Sequence, residues 1–160
     1  MIEIIMGNLL ESKEQYIAHQ CNCLTQRSAG IAKDIFNKYP YADTYSARIE
    51  PNTLSTIQVM GDGIDNRFII NMYAQYYPGH SKYPTSKMDG IVARQKAFHK
   101  CLMRVAQITN LESIAFPWKI GCSMAGGDWK YYLGTLENFA KYVEQSQNTK
   151  VVIYQREEDK

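Results

Sequence analysis

The chain has 160 residues, of which 45% are hydrophobic and 21% charged, with a net charge of +2. This composition excludes intrinsic disorder, and the length fits one domain that needs no metal or disulfide to form a core. The small net charge is no argument for a nucleic-acid partner, and the apolar runs are too short to cross a membrane. The N-terminus lacks the basic segment and cleavage site of a signal peptide, so we expect a cytoplasmic protein with free thiols.

The first half of the chain predicts four strands and one helix. Apolar runs rich in isoleucine and valine are typical of strands, and residues 16–21 are nearly continuous rather than alternating in apolar character, as expected for a strand buried on both faces. The turn Gly61-Asp62-Gly63 separates the third strand from the fourth. The predicted strands are 2–6, 16–21, 57–60 and 67–73, and the predicted helix is 30–38.

The second half predicts two helices that alternate with two strands. Residues 76–87 form a long polar loop with two prolines, a length typical of functional lids. The helix 89–107 has a predicted apolar face of Ile91, Phe98, Leu102 and Val105. The other predicted elements are a strand at 113–117, a helix at 129–145, a strand at 150–155 and a charged tail at 156–160.

Two loops rich in small residues each follow a predicted strand and lead into a helix. They are Ser28-Ala29-Gly30-Ile31-Ala32 and the segment 121–127, which contains three glycines. Alternating strands and helices favour an α/β domain with a largely parallel sheet, in which ligands bind at the carboxyl ends of the strands. A helix N-terminus approached by glycine suits a phosphate group, although each loop alone could be a simple strand-to-helix turn.

These loops and their neighbours resemble macrodomains, the ADP-ribose-binding family. The resemblance extends over nearly the whole chain, in the expected order, and is strongest to the ADP-ribose 1''-phosphate phosphatase branch. It implies a three-layer α/β/α fold with a central mixed, largely parallel sheet, formed by residues 1–155 as one domain. The segments that carry it are Gly7-Asn8-Leu9, His19-Gln20-Cys21-Asn22-Cys23, the first loop through Lys38-Tyr39-Pro40, residues 120–129, and Ile153-Tyr154-Gln155.

The resemblance implies that ADP-ribose lies across the two loops. Asn8 and Leu9 would flank the adenine, Tyr154 would pack near it, and Asn22 would reach the distal ribose. The alternatives are a turn residue for Asn8, a half-buried tyrosine for Tyr154 and a backbone-capping asparagine for Asn22. The remaining implied ligand-binding residues are Cys21, Ser28, Ala29, Gly30, Ile31, Ala32, Lys119, Ile120, Gly121, Cys122, Ser123, Met124, Ala125, Gly126 and Gly127.

The candidate catalytic residues are His19, Asp128 and Asn22. Histidine titrates near neutral pH and can protonate a leaving oxygen, although a lone histidine on a buried strand can equally be a core residue. Asp128 could orient an attacking water, and it is also well placed as the N-cap of the last helix.

Several sequence features limit the chemistry. Ser123 stands where the family commonly has a glycine, and Gln75 stands where some members that remove ADP-ribose from protein or DNA have a lysine. Gln75 cannot form a covalent adduct of the Schiff-base type, so the lysine mechanism is disfavoured. His19, Cys21 and Cys23 lack the spacing of a metal site, and we expect neither a metal nor a cofactor. A helix start nearby could lower the pKa of the Cys122 thiol.

We therefore predict hydrolysis of ADP-ribose 1''-phosphate, with two alternatives. One is a module that binds or sequesters ADP-ribose or a cyclic or modified relative, and the other is a noncovalent hydrolase that removes ADP-ribose from protein or nucleic acid. The expected partner is a small molecule and the expected state is a monomer. A basic cluster favours a solvated face over a nucleic-acid surface; it consists of Lys82, Lys87, Arg94, Lys96, Lys100 and Arg104.

Overall fold

A computed structural model describes residues 1–159, and it contains every strand and helix predicted from the sequence, with bounds that differ by at most two residues. The remaining residue of the predicted tail, Lys160, lies outside the described residues. Three short 3₁₀ turns were not predicted. The strands are β1 Glu3–Met6, β2 Tyr16–Asn22, β3 Ile57–Met60, β4 Phe68–Gln75, β5 Ser113–Pro117 and β6 Lys150–Gln155; the helices are α1 Gly30–Lys38, α2 Ile91–Val105 and α3 Trp129–Gln147; and the 3₁₀ turns are Leu9–Glu11, Pro40–Ala42 and Glu157–Asp159.

The six strands form one mixed sheet in the order β1-β6-β5-β2-β4-β3. Every pair is parallel except β3 and β4, which are antiparallel. The turn at residues 61–66 explains this exception, because the Asp62 carboxylate accepts hydrogen bonds from the backbone N–H groups of Ile64, Asp65 and Asn66 and closes a hairpin. The sheet therefore confirms the predicted mixed, largely parallel arrangement.

Helices cover both faces of the sheet, which confirms the three-layer architecture. Along β2, Ala18 packs into the core that contains α2 and α3, whereas its neighbour Ile17 packs into the core that contains α1. Successive side chains of a strand point to opposite faces, so a strand buried on both sides is apolar along most of its length. The carboxyl ends of the parallel strands lead into the loops that follow them.

The predicted apolar face of α2 is wrong at its first turn. Ile91 is 52% exposed, whereas Arg94, which was assigned to a solvated face, is 3% exposed. The rest of the predicted face is correct, since Phe98, Leu102 and Val105 are buried. The pattern failed because Arg94 has a buried acidic partner just before the helix, described below. Within residues 1–159, no helix has the length and apolar character needed to cross a membrane.

Candidate functional site

A cleft of about 710 Å³ lies across the carboxyl ends of the strands, between the two loops singled out in the sequence. Fifteen of the predicted ligand-binding and catalytic residues line it. They are Asn8, Leu9, Asn22, Ala29, Gly30, Ile31, Ala32, Lys119, Ile120, Gly121, Cys122, Ser123, Met124, Ala125 and Tyr154.

One wall of the cleft is the N-terminus of α1. The helix begins at Gly30, which has a positive φ of 57°, and the N-cap residue Ala29 makes no side-chain cap. The first turn contains no acidic residue. The first N–H groups of a helix have no acceptor within the helix and carry a partial positive charge. This end of α1 can therefore receive an anionic group from the cleft.

Asn22 shapes the chain that leads to α1. Its Oδ1 accepts hydrogen bonds from the backbone N–H groups of Leu24 and Thr25, both at 2.9 Å, and its Nδ2 donates to the Thr25 hydroxyl at 3.1 Å. The Asn22 N–H donates to the hydroxyl of Tyr45 at 2.8 Å. The turn-capping alternative is therefore what the structure shows, while the residue also lines the cleft.

Arg48 stabilises the same turn through its backbone carbonyl groups. It is buried, and its guanidinium donates to the carbonyl oxygens of Asn22 and Thr25, each at 3.0 Å. The guanidinium also lies over the ring of Tyr45, 4.6 Å from its centroid. Sequence reasoning missed Arg48, because an arginine in a polar segment carries no signal of burial.

The second wall is the loop between β5 and α3, which is closed by its own backbone. Three residues have positive φ: Lys119 at 58°, Gly121 at 77° and Gly126 at 75°. The N–H of Cys122 donates to the carbonyl of Lys119 at 2.8 Å, and that of Gly127 to the carbonyl of Gly121 at 3.0 Å. Gly126 and Gly127 thus support the loop but do not line the cleft, which departs from their predicted role as ligand contacts.

Gly121 is a position where only glycine fits. A Cβ built on it would lie 2.6 Å from the ring of Tyr132 and 2.8 Å from Oε1 of Gln20. The two loops also touch each other, since a Cβ on Gly30 would lie 2.8 Å from the sulfur of Met124. The cleft is therefore narrow at its centre, between the start of α1 and the second loop.

At the β1 and β6 end, Asn8 and Tyr154 line the cleft. Asn8 caps a 3₁₀ turn by accepting from the Leu10 N–H at 3.0 Å, which leaves its amide NH₂ group unused by that cap. Tyr154 donates from its hydroxyl to Glu14 at 2.8 Å, and burial is the main cause that raises its pKa to about 12. The tail reaches this end too, through Arg156 and Asp159.

The charges that line the cleft nearly cancel. Arg27, Lys119 and Arg156 are cationic, whereas Asp34 and Asp159 are anionic. An anion bound here would be held mainly by backbone N–H groups at the loops. Gln75, which the sequence placed at the position of the family's lysine, also lines the cleft. The lining residues that sequence reasoning missed are Leu10, Gln20, Arg27, Asp34, Tyr45, Pro78, Gly79, Pro117, Trp118, Arg156 and Asp159.

His19 does not reach the cleft. Its side chain is fully buried, with one ring nitrogen 2.6 Å from Oδ1 of Asn71 and the ring packed edge-on against Phe36. Burial lowers its pKa to about 4, so the ring is neutral near pH 7. The geometry therefore does not support His19 as an acid or base towards a ligand in the cleft, and it is a core residue. Cys21, next but one along β2, is buried beside it.

The other predicted residues outside the cleft are Ser28 and Asp128. Asp128 is exposed and caps α3, accepting from the Lys130 N–H at 3.2 Å, as the N-cap alternative predicted. The burial of Cys122 and, to a lesser extent, the charge of Asp128 raise the pKa of that thiol to about 12. The expectation of a lowered pKa for Cys122 was wrong, because desolvation and a nearby carboxylate outweigh the helix start.

Gln75 lies at the end of β4 and lines the end of the cleft opposite Asn8 and Tyr154. Its Oε1 accepts from Nε2 of Gln20 at 2.7 Å, and its Nε2 donates to the carbonyl of Tyr77 at 2.9 Å. Gln75 therefore acts as a hydrogen-bonding wall residue. No group of three or more metal-ligating side chains occurs among residues 1–159.

Several solved structures with this fold are macrodomains. The macrodomain of Mycobacterium tuberculosis DarG is 24% identical, with a TM-score of 0.70 over 96% of this chain and 97% of that one. The macrodomain of Thermus aquaticus DarG is 19% identical, with a TM-score of 0.66 over 97% and 98%. A Trypanosoma brucei macrodomain in complex with ADP-ribose is 13% identical, with a TM-score of 0.67 over 97% and 63%. No protein-family model matches the chain, and comparison with curated proteins finds no match.

The chain thus has the macrodomain fold, with its cleft at the carboxyl edge of the sheet. At these identities, the likeness establishes the fold and leaves the ligand to be argued from the residues of the cleft.

Proposed function

We propose that this protein binds ADP-ribose or a derivative of it in the cleft. The observation that carries the proposal is the pair of loops that face each other there: the uncapped start of α1 at Gly30 and the glycine-bearing loop 118–127. Two sets of backbone N–H groups on one cleft suit a diphosphate, which needs no cluster of lysines. The volume of about 710 Å³ lies within the range of about 300–1,000 Å³ usual for small-molecule sites.

The order of the strands supports an orientation for this ligand. Asn8 and Tyr154 lie at the ends of β1 and β6, the two loops lie over β5 and β2, and Gln75 lies at the end of β4. We place the adenine near Asn8 and Tyr154, the diphosphate between the loops, and the distal ribose towards Gln75. The T. brucei macrodomain with the same fold is in complex with ADP-ribose, which supports the ligand class.

Hydrolysis of ADP-ribose 1''-phosphate is the second part of the proposal. With His19 buried, the remaining candidates are Asn22 and Asp128. The side chain of Asn22 is engaged by its own turn, whereas the charge of Asp128 is close enough to Cys122, on the cleft wall, to help raise the pKa of that thiol. We propose that Asp128 orients the attacking water at the edge of the second loop. Gln75 offers no nucleophile, so a covalent lysine route forms no part of the proposal.

Calorimetric titration with ADP-ribose tests the binding proposal, with ADP and AMP as shorter ligands. We expect ADP-ribose to bind, and at 100 times its dissociation constant to stabilise the fold by about 2.7 kcal/mol. An absence of heat and of any thermal shift would sink the proposal.

Phosphate release from ADP-ribose 1''-phosphate tests the catalytic part. The informative variant is Asp128→Asn, because asparagine keeps the N-cap of α3 and removes only the charge. We expect Asp128→Asn to lose most of the activity while ADP-ribose binding is retained. Turnover that survives this change overturns the assignment of Asp128. If the wild type binds ADP-ribose tightly but releases no phosphate, a binding module is favoured. If it instead releases ADP-ribose from modified protein or DNA, a noncovalent hydrolase is favoured.

A further inference from the structure

Arg94 makes an unusually complete set of bonds for a buried arginine outside the cleft wall. It is 3% exposed, and its partner Asp89 is 4% exposed. The Arg94 Nε donates to Asp89 Oδ1 at 3.0 Å and Nη2 donates to Asp89 Oδ2 at 2.7 Å. This is a two-pronged pairing, the geometry that suits a guanidinium and a carboxylate.

The same guanidinium binds two segments that line the cleft. Its Nη1 donates to the carbonyl of Gly79 at 2.7 Å and to that of Ala125 at 3.3 Å, and its Nη2 donates to the carbonyl of Tyr77 at 3.2 Å. Gly79 and Ala125 both line the cleft. Every N–H group of the guanidinium therefore has an acceptor, and one side chain joins the loop after β4 to the loop after β5.

Asp89 holds the first of these segments as well. Its Oδ1 accepts from the backbone N–H groups of Tyr76 at 2.9 Å and Tyr77 at 3.2 Å. A second contact joins the same two segments, because the ring of His80 packs so closely on Gly126 that a Cβ there would overlap it. Residues 77–80, which we call the strap, are thus tied to the second loop at two points.

The strap borders only one end of the cleft. It follows β4, whereas Asn8 and Tyr154 lie at the ends of β1 and β6, on the opposite side of β5 and β2 in the sheet. A shift of the strap away from Ala125 would widen the β4 end and leave the β1 and β6 end as it is.

We propose that Arg94 is a positioning residue that sets the width of the cleft at its β4 end, and thereby its selectivity for ligands that extend beyond the diphosphate. The inference rests on the proposed function for the identity of the ligand. Arg94 acts through the carbonyl groups of Gly79 and Ala125. Lysine cannot replace it, because a single ammonium group cannot pair with Asp89 at two points and reach both loops.

The test compares the affinities of ADP-ribose and ADP for Arg94→Lys. We expect the affinity for ADP-ribose to fall by about tenfold, the effect of losing about one hydrogen bond to the displaced wall, while the affinity for ADP stays the same. The matched control is Arg104→Lys on the same helix, whose guanidinium donates to the carbonyl of Ser55 and has no contact with the cleft. Equal losses for the two ligands, or no loss, overturn the inference.

Two further variants keep the test decisive if Arg94→Lys fails to fold. The double variant Asp89→Asn with Arg94→Gln removes both buried charges together, so that neither is left unpaired. His80→Ala changes an exposed side chain and removes only the contact of the strap with Gly126. We expect both changes to lower the affinity for ADP-ribose but not for ADP, with the smaller loss in His80→Ala. If both variants bind both ligands with wild-type affinity, the inference is overturned.

Amide hydrogen exchange separates this inference from the proposed function. Without any ligand, Arg94→Lys or the double variant should speed exchange in residues 77–81 and 121–127, and Arg104→Lys should not. If the wild type binds no ADP-ribose but exchange in the variants rises as expected, the proposed function fails and the positioning role of Arg94 stands. If ADP-ribose binds and exchange in both segments is unchanged, the positioning role of Arg94 alone fails.

Discussion

The two loops that face each other across the cleft are held in place by different means. The loop before α1 depends on side chains: Asn22 caps its turn, and the buried guanidinium of Arg48 binds two of its carbonyl groups. The loop before α3 depends on its own backbone, with Gly121 and Gly126 at positive φ and a hydrogen bond that closes it. Two loops with the same task therefore have opposite sensitivities to substitution.

The difference shows how far local sequence can report a site. The second loop could be recognised from its three glycines, because the residues that shape it are the loop itself. The first loop could be located by Gly30, but its support comes from Arg48 and Tyr45, which are distant in the sequence. Substitutions that remove the support of one loop and leave that of the other intact test this contrast.

The largest effect is expected at Arg48. Replacement by methionine, Arg48→Met, leaves the carbonyl groups of Asn22 and Thr25 without their charged donor. Since bonds to charged groups contribute about 1.5–3 kcal/mol each, we expect the free energy of unfolding to fall by about 4 kcal/mol in urea denaturation. A loss below about 1 kcal/mol would show that the first loop does not depend on this side chain.

The second-largest effect is a dependence of the free energy of unfolding on pH, which originates in His19 of β2, the strand that leads into the first loop. Burial lowers the pKa of His19 from 6.5 to about 4, so the unfolded chain binds a proton that the folded chain does not. Stability is therefore full above pH 6.5 and falls as the pH drops towards 4, by roughly 3 kcal/mol in all. The groups found around the ring, Asn71, Cys21 and Phe36, carry no charge that would change this sign.

Urea denaturation of the wild type and of His19→Gln between pH 7 and pH 4.5 measures this effect. Glutamine does not titrate, so the variant should be less stable at pH 7 but should lose less on acidification. Parallel curves for the two proteins would contradict the assignment of the lost stability to His19.

A smaller loss of stability is expected in the second loop. Comparing Gly121→Ala with Gly79→Ala separates the effect of steric overlap from that of backbone strain. Gly121 and Gly79 both have positive φ, but a Cβ at Gly121 meets Tyr132 and Gln20, whereas one at Gly79 meets nothing within 4 Å. We expect Gly121→Ala to lower the free energy of unfolding by about 2 kcal/mol more than Gly79→Ala, because overpacking adds to the strain. Equal losses would mean that the loop can shift away from Tyr132.

The smallest expected effect is a gain in stability, in the helix α3 that follows the second loop. Gly134 lies within α3 and has open space where a Cβ would stand. Gly134→Ala should raise the free energy of unfolding by about 1 kcal/mol, because alanine is the better helix former. A thermal unfolding scan beside the wild type measures it, and ADP-ribose affinity should be unchanged because the residue is distant from the cleft lining.

Much of the fold could be predicted from periodicity, because strand and helix formation is largely local. The nine strands and helices and the largely parallel sheet followed from apolar runs and from turns such as Gly61-Asp62-Gly63, whereas the mixed character of the sheet came from the resemblance to macrodomains. The errors occurred where a polar residue is buried by pairing. Arg94 was assigned to solvent because its partner Asp89 lies outside the helical pattern, and the burial of His19 could not be known without the positions of Asn71 and Phe36.

The sequence by itself determined the order of the elements, the two glycine-bearing loops and a near-neutral net charge. The tertiary structure alone decided which side chains face the cleft, because that depends on which elements pack together. Packing placed His19 in the core and brought Arg94 into contact with two loops that are far apart in the chain.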